Sequence, residues 1–153
     1  MSDPLYKKEL LRLAADAHGA GRLARPDASG EAFNPTCGDR VIVDLSLKDG
    51  RIVAMAHDTK ACVLAQASAS ILGQSLVGAS LDDIEALANT IAQMLVARGD
   101  PPGQPFEAYA AFEGATEHRT RHRCVLLPVE AVLAAFEASE TALEDNAHAK
   151  KAF

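Results

Sequence analysis

The sequence predicts an α+β domain in which a small antiparallel sheet of about three strands packs against several helices on one side. Two patterns carry this expectation. Residues 41–48 alternate apolar and polar with a period of two and lead into Asp49-Gly50, the dipeptide of tight hairpins. Beyond residue 62 the apolar residues recur at helical spacing instead, broken by glycines and prolines. A chain of 153 residues buries an ordinary core without staples, so 1–153 reads as one domain.

The elements follow in order. Residues 5–17 read as a helix with Tyr6, Leu10, Leu13 and Ala17 on one face, ended by Gly19 and Gly21. Residues 18–33, rich in Gly, Ala, Asp and Pro, read as an irregular connection. Val41, Val43, Leu45 and Leu47 then mark the inward face of a strand, with Ile42 out of phase, and Arg51 to His57 return as its hairpin partner. A two-stranded ribbon is marginal alone, which calls for a short third strand near Glu31 to Asn34. Leu64, Ser68, Ile71, Leu72 and Ser75 place a helix over 62–77, stopped by Gly78. Ser80 with Asp83 forms a capping-box pair for the next helix, which ends at Gly99 and Pro101-Pro102. A short helix is expected over 105–113 and a last one over 125–140, with Pro128 tolerated only in its first turn. The charged tail 140–153 is expected to fray.

Composition narrows the function. With 21 acidic and 15 basic residues, the net charge of −6 argues against nucleic acid and anionic membranes as partners. No apolar run approaches ~18 residues, and Met1-Ser2-Asp3-Pro4 carries no export signal, so a cytoplasmic protein is expected. The three cysteines, an odd number, then read as reduced thiols rather than a disulfide framework. There is no phosphate-binding glycine loop and no Gly-x-Ser-x-Gly elbow.

Cys37 and Asp39 share one short loop, Cys62 lies where a strand hands over to a helix, and Cys124 lies where the final helix is expected to begin. Three thiols and a carboxylate match the four ligands of a tetrahedral soft metal ion, and such donors select zinc, copper(I) or iron–sulfur species. Helix N-termini favour thiolates, which lowers the expected pKa of Cys62 and Cys124. The spacing contains no Cys-x-x-Cys pair, so three separate core cysteines stay open as the alternative. Arg119, Arg121, His122 and Arg123 form a basic run that reads as a solvated loop, a partner-docking patch, or, through Arg123, a counter-charge for the thiolates. His122 in an extended segment would point away from Arg123, and His57 and His118 read as sheet or surface residues.

The run Asn34-Pro35-Thr36-Cys37-Gly38-Asp39-Arg40, the hairpin at Asp49-Gly50, and Cys62 followed by Gln66-Ala67-Ser68-Ala69-Ser70 resemble the U-type iron–sulfur cluster assembly scaffold family, comprising IscU, SufU and the NifU N-terminal domain. The likeness spans about residues 5–138. It implies a SufE/IscU-like fold and a zinc ion or [2Fe-2S] cluster, or iron, held by Cys37, Cys62 and Cys124 with Asp39 as a fourth ligand. It further implies a SufS-type cysteine desulfurase and apo iron–sulfur client proteins as partners. The long interval before Cys124, and Arg123 where IscU-type members place histidine, are more similar to the SufU branch. The family's usual glycine beside the second cysteine is Ala61 here, and the Leu-Pro-Pro-Val-Lys chaperone motif is replaced by Glu117 to Arg123.

Two activities follow from the resemblance. One is a scaffold or carrier on which Cys37, or its rival Cys124, accepts sulfur and a cluster is built. The other is a zinc-dependent sulfurtransferase that relays sulfur and never holds a cluster. A structural zinc in an interaction module is the third expectation.

Overall fold

The computed structural model describes residues 7–151, with side chains placed for residues 7–140. Helix α1 spans Lys8–Asp16, followed by strands β1 (Ala28–Asn34), β2 (Asp39–Lys48) and β3 (Arg51–Lys60). Helices α2 (Val63–Ser75) and α3 (Leu81–Ala97), a 3₁₀ segment (Glu107–Ala115) and helix α4 (Arg119–Lys151) complete the chain. The strands form one antiparallel sheet in the order β1-β2-β3, so the expected α+β architecture is present. Leu5 and Tyr6 of the expected first helix lie outside the described residues.

Both hairpins arise from local chemistry. Asp49 and Gly50 each have positive φ, as a two-residue turn matched to strand twist requires, and Lys48 pairs with Arg51. The β1–β2 connection is a four-residue turn, 35–38, because Asn34 pairs with Asp39. Within it the Asn34 side chain accepts from the Thr36 N–H at 3.1 Å, and the Asn34 carbonyl accepts from the Gly38 N–H at 2.8 Å. Gly38 sits at φ +77°, a conformation that suits glycine. This turn projects Cys37 and starts β2 on Asp39.

Three expectations are corrected. The third strand is longer than Glu31–Asn34, and it replaces part of the irregular connection. Its inward residues, Ala28, Gly30 and Ala32, are too small to announce a strand by hydrophobicity. They are small because α4 lies directly on them: a Cβ at Gly30 would overlap the Ala135 nitrogen and the Ala131 carbonyl. The final helix starts at Arg119 rather than near residue 125, so Cys124 lies in its second turn. Pro128 therefore falls inside the helix and not in its first turn. Its missing N–H leaves the Cys124 carbonyl without the usual intrahelical donor. The segment around Tyr109 and Phe112 is a 3₁₀ helix, in which these two rings are fully buried.

The core lies between the sheet and the helices. Val41, Val43 and Leu45 of β2 face inward with at most 1% exposure, and α2 is buried around most of its circumference. Small residues make this burial possible. The Ser68 hydroxyl donates to the Val125 carbonyl at 2.7 Å and receives the Tyr109 hydroxyl at 2.9 Å, so α2, α4 and the 3₁₀ segment share one satisfied polar node. Each such bond contributes about 1 kcal/mol net, and more would be lost by leaving one partner unpaired. The Ser80–Asp83 capping box is present in both directions at the start of α3.

The segment between α1 and β1 is pinned to the sheet. The Asp44 carboxylate accepts from the Arg22 guanidinium at 2.7 and 3.0 Å, from the Leu23 N–H at 3.0 Å and from the Ser29 hydroxyl at 2.6 Å. These partners, Arg22 first, hold buried Asp44 below the usual carboxylate range. His18 to Gly21 run along β3, where the His57 N–H donates to the Gly19 carbonyl. His57 is a sheet residue as expected, but it is buried rather than on the surface. Its Nε2 donates to the His18 carbonyl and its Nδ1 accepts from the Thr59 hydroxyl, both at 2.8 Å.

Candidate metal centre

Three chain segments converge at one end of the sheet: the β1–β2 turn, the start of α2, and the second turn of α4. One ligand atom each from Cys37, Asp39 and Cys124 lies within 4.8 Å of the other two. Cys62, the N-cap residue of α2, stands beside this group. Its backbone N–H donates to Asp39 Oδ1 at 3.2 Å, and its thiol interacts with both Asp39 and the Cys124 thiol. All four residues named from the sequence as candidate ligands are thus neighbours.

Burial is graded across the site. Cys37 is exposed, Cys62 is half-buried, Asp39 is 6% exposed and Cys124 only 2%. Asp39 Oδ2 is buried and has no hydrogen-bond partner among the described residues. A carboxylate oxygen held dry and unpaired is costly, and buried charges are normally paired or bound to metal. An oxygen in this condition beside three thiols is the donor set a thiophilic cation satisfies, so the residues fit zinc or iron.

The thiols are not activated by helix ends as the sequence led us to expect. Burial pushes the Cys124 thiol up to about 12, and the neighbouring Cys62 thiol and the Asp39 charge add to this, with a hydrogen bond from Arg121 opposing them. Burial also raises Cys62, with the Asp39 carboxylate acting in the same direction and the Ala65 N–H opposing. Desolvation and like-charged neighbours outweigh the helix-end effect: Cys62 is the N-cap of α2 but half-buried beside Asp39, and Cys124 is buried in the second turn of α4. A cation bound here reverses that balance, since its ligands bind as thiolates.

The basic run is distributed with purpose. Arg123, expected as the counter-charge, donates to the Phe33 carbonyl at 3.2 Å and approaches Glu130 at 3.8 Å. It thereby ties α4 to the end of β1 just before the Cys37 turn. Arg121, one helical turn before Cys124, is the residue that bonds the Cys124 thiol. That role was missed because an i, i+3 relation has meaning only once α4 is known to start at Arg119. His122 Nε2 faces the Ala115 and Thr116 carbonyls at 3.0 Å each, which ties α4 to the 3₁₀ segment. Cys37 opens into a cleft of about 460 Å³ whose lining also includes Asn34, Arg119, Arg121, Arg123 and the buried Cys124.

The fold and this cluster define a small α+β domain with a preformed three-thiol, one-carboxylate site. The chain belongs to the NifU-like N-terminal domain family, whose model matches residues 5–120. A crystal structure of a nitrogen-fixing NifU-like protein (N-terminal) from Brucella abortus superposes with a TM-score of 0.86 at 33% identity, covering 91% of this chain and 96% of that one. The iron-sulfur cluster assembly scaffold protein IscU of Streptococcus pyogenes serotype M1 is 25% identical over 109 residues, which is 71% of this chain and 69% of that protein. The zinc-dependent sulfurtransferase SufU of Bacillus subtilis is 27% identical over 100 residues, 65% of this chain and 67% of that protein. No helix among the described residues is long and apolar enough to cross a membrane.

Proposed function

We propose that this chain is a sulfur-accepting scaffold for iron–sulfur cluster assembly, with Cys37 as the acceptor and Cys37, Asp39, Cys62 and Cys124 as the ligand set. The observation that carries the reading is the graded burial: one exposed thiol stands within 4.8 Å of a buried thiol and of an oxygen of Asp39, a buried carboxylate whose Oδ2 has no hydrogen-bond partner among the described residues. An acceptor has to reach another protein's sulfur, and Cys37 on its turn is placed to do so. Cys124, the rival, is closed off by α4 and its neighbours.

The step is an exchange. The Cys37 thiolate attacks the outer sulfur of a persulfide on a cysteine desulfurase. A bond forms between Cys37 and that sulfur, the donor's S–S bond breaks, and the donor cysteine leaves as a thiolate. No electron is gained or lost overall. Bound zinc or iron supplies charge that keeps the ligand sulfurs deprotonated. Asp39, a harder and weaker ligand than thiolate, leaves one coordination position easy to vacate, which suits a cluster that has to be passed to apo clients. Arg121 offsets negative charge at Cys124.

A zinc-dependent sulfurtransferase is the second reading. The three-atom group is the size of one ion, and Cys62 stands outside it, whereas a two-iron cluster spreads its ligands further apart. Anaerobic reconstitution with iron, cysteine and a desulfurase separates the two. Visible charge-transfer bands that depend on Cys37, Cys62 and Cys124 support the scaffold. Stoichiometric zinc with raised desulfurase turnover and no bands supports the sulfurtransferase. Unchanged turnover in Cys37→Ser with a lower melting temperature would leave only a structural zinc.

A further inference from the structure

The cleft beside Cys37 carries charge of one sign. Arg119, Arg121 and Arg123 line one wall, the turn from Asn34 to Cys37 forms the other, and among the described residues no carboxylate lines it. The chain as a whole is acidic, with 21 Asp and Glu against 15 Lys and Arg. Three of those bases within five positions of α4 face a single opening. Neutralising the metal ligands does not account for all of them. Arg121 bonds the Cys124 thiol, and Arg123 is held between Phe33 and Glu130. Arg119 is exposed at the cleft's rim and makes no ion pair among the described residues.

We propose that this cleft docks an acidic segment of the protein that donates sulfur, setting the donor's sulfur against Cys37. The proposal rests on the acceptor reading above and names the chemistry of the partner surface. About 460 Å³ holds several side chains, far more than one small anion fills. Planar guanidinium groups pair with carboxylates through two parallel bonds, so a short run of Asp or Glu can be fixed in position as well as attracted. The surrounding negative charge sharpens the effect. An acidic partner is repelled by most of the surface and drawn to this cleft, which orients the encounter. Steering of this kind raises association rates by about 10 to 10³ and fades with ionic strength.

The test uses two short peptides, each with one cysteine activated as its thionitrobenzoate mixed disulfide, flanked in one by glutamates and in the other by lysines. Attack by Cys37 releases coloured thionitrobenzoate, and mass spectrometry locates the adduct. The acidic peptide is expected to react at least about 10-fold faster at low salt, with the advantage shrinking toward unity near 0.5 M salt. Arg119→Glu, a substitution at an exposed position, is expected to remove most of that advantage, and Arg119→Gln part of it, at unchanged melting temperature. Equal rates for the two peptides overturn the proposal, as does an advantage that survives Arg119→Glu. Oxidised glutathione reacting as favourably as the acidic peptide also overturns it, in favour of a small-anion site. Anisotropy of a labelled, unactivated acidic peptide on Cys37→Ser protein keeps the two claims apart. Salt-sensitive binding there supports docking whether or not Cys37 takes up sulfur. Absence of a Cys37 persulfide from desulfurase reactions would count against the acceptor reading alone.

Discussion

Asp39 uses its two oxygens differently, and that division governs the behaviour of its variants. Oδ1 holds the Cys62 N–H at the start of α2, while Oδ2 is dry and unpaired. Asp39→Ala removes the carboxylate proposed as the weakest ligand, so a reconstituted cluster is expected to persist longer under anaerobic conditions, followed by its visible absorbance. Faster loss in that variant would rule out the labile-ligand role. The same substitution leaves the Cys62 N–H without its acceptor, at a cost of about 1–2 kcal/mol to the metal-free protein. The cysteines give a second expectation. Metal-free protein treated with iodoacetamide at neutral pH is expected to modify Cys37 roughly 100-fold faster than Cys124, read by peptide mass spectrometry. Exposure and the displacement of the Cys124 thiol to about 12 both act in that direction. Comparable rates would mean that α4 opens readily.

At the scale of elements, the site depends on how closely α4 approaches β1. Gly30 is the contact point, because any Cβ there meets the α4 backbone at Ala131 and Ala135. Gly30→Val forces the helix away and is expected to cost at least about 2 kcal/mol, lowering the melting temperature by about 5–8 °C for a chain of this size. Since α4 carries Cys124 and Arg121, the same variant is expected to raise Cys124 alkylation and weaken zinc binding together. A loss of stability with unchanged Cys124 reactivity would show that the ligand turn of α4 is held by Arg123 and the Ser68 node instead. The β2–β3 hairpin was legible from sequence because its turn is local: Asp49 and Gly50 both take positive φ, whereas the turn through Cys37, with Gly38 at positive φ, reads in the sequence only as a loop entering a strand. Strand β1 was only partly legible, because Ala28, Gly30 and Ala32 suit the helix above them rather than a generic core. The start of α4 was misplaced because Thr120 and the surrounding basic residues carry no apolar period.

For the whole molecule, the proposed ligand set would couple metal binding to folding. The ligands come from the β1–β2 hairpin, α2 and α4, so an ion held by all of them ties the sheet to both helices. Chelation is expected to lower the melting temperature of zinc-loaded protein by several degrees, with zinc restoring it and Cys37→Ser abolishing the difference. Proton binding acts on stability through His57. Burial holds its pKa below the usual imidazole value, although the His18 carbonyl and Asp58 oppose this. The unfolded chain takes up a proton near pH 6.5 while the folded protein does not, so stability declines as pH falls from about 7 toward 5. His57→Asn is expected to flatten that slope in metal-free protein, as measured by denaturant midpoints across the range. An unchanged slope would assign the dependence to other groups.

The sequence by itself determined the fold class, the β2–β3 hairpin, the capping box of α3, and four candidate donor residues. These are short-range properties, set by period, turn residues and side-chain type. Only the tertiary structure decided that Cys37 is open while Cys124 is closed, that Arg121 rather than Arg123 bonds the Cys124 thiol, and that three arginines face the cleft beside Cys37. Burial and convergence depend on where distant segments pack. Here that is the seat of α4 on Gly30, about a hundred positions away in the chain.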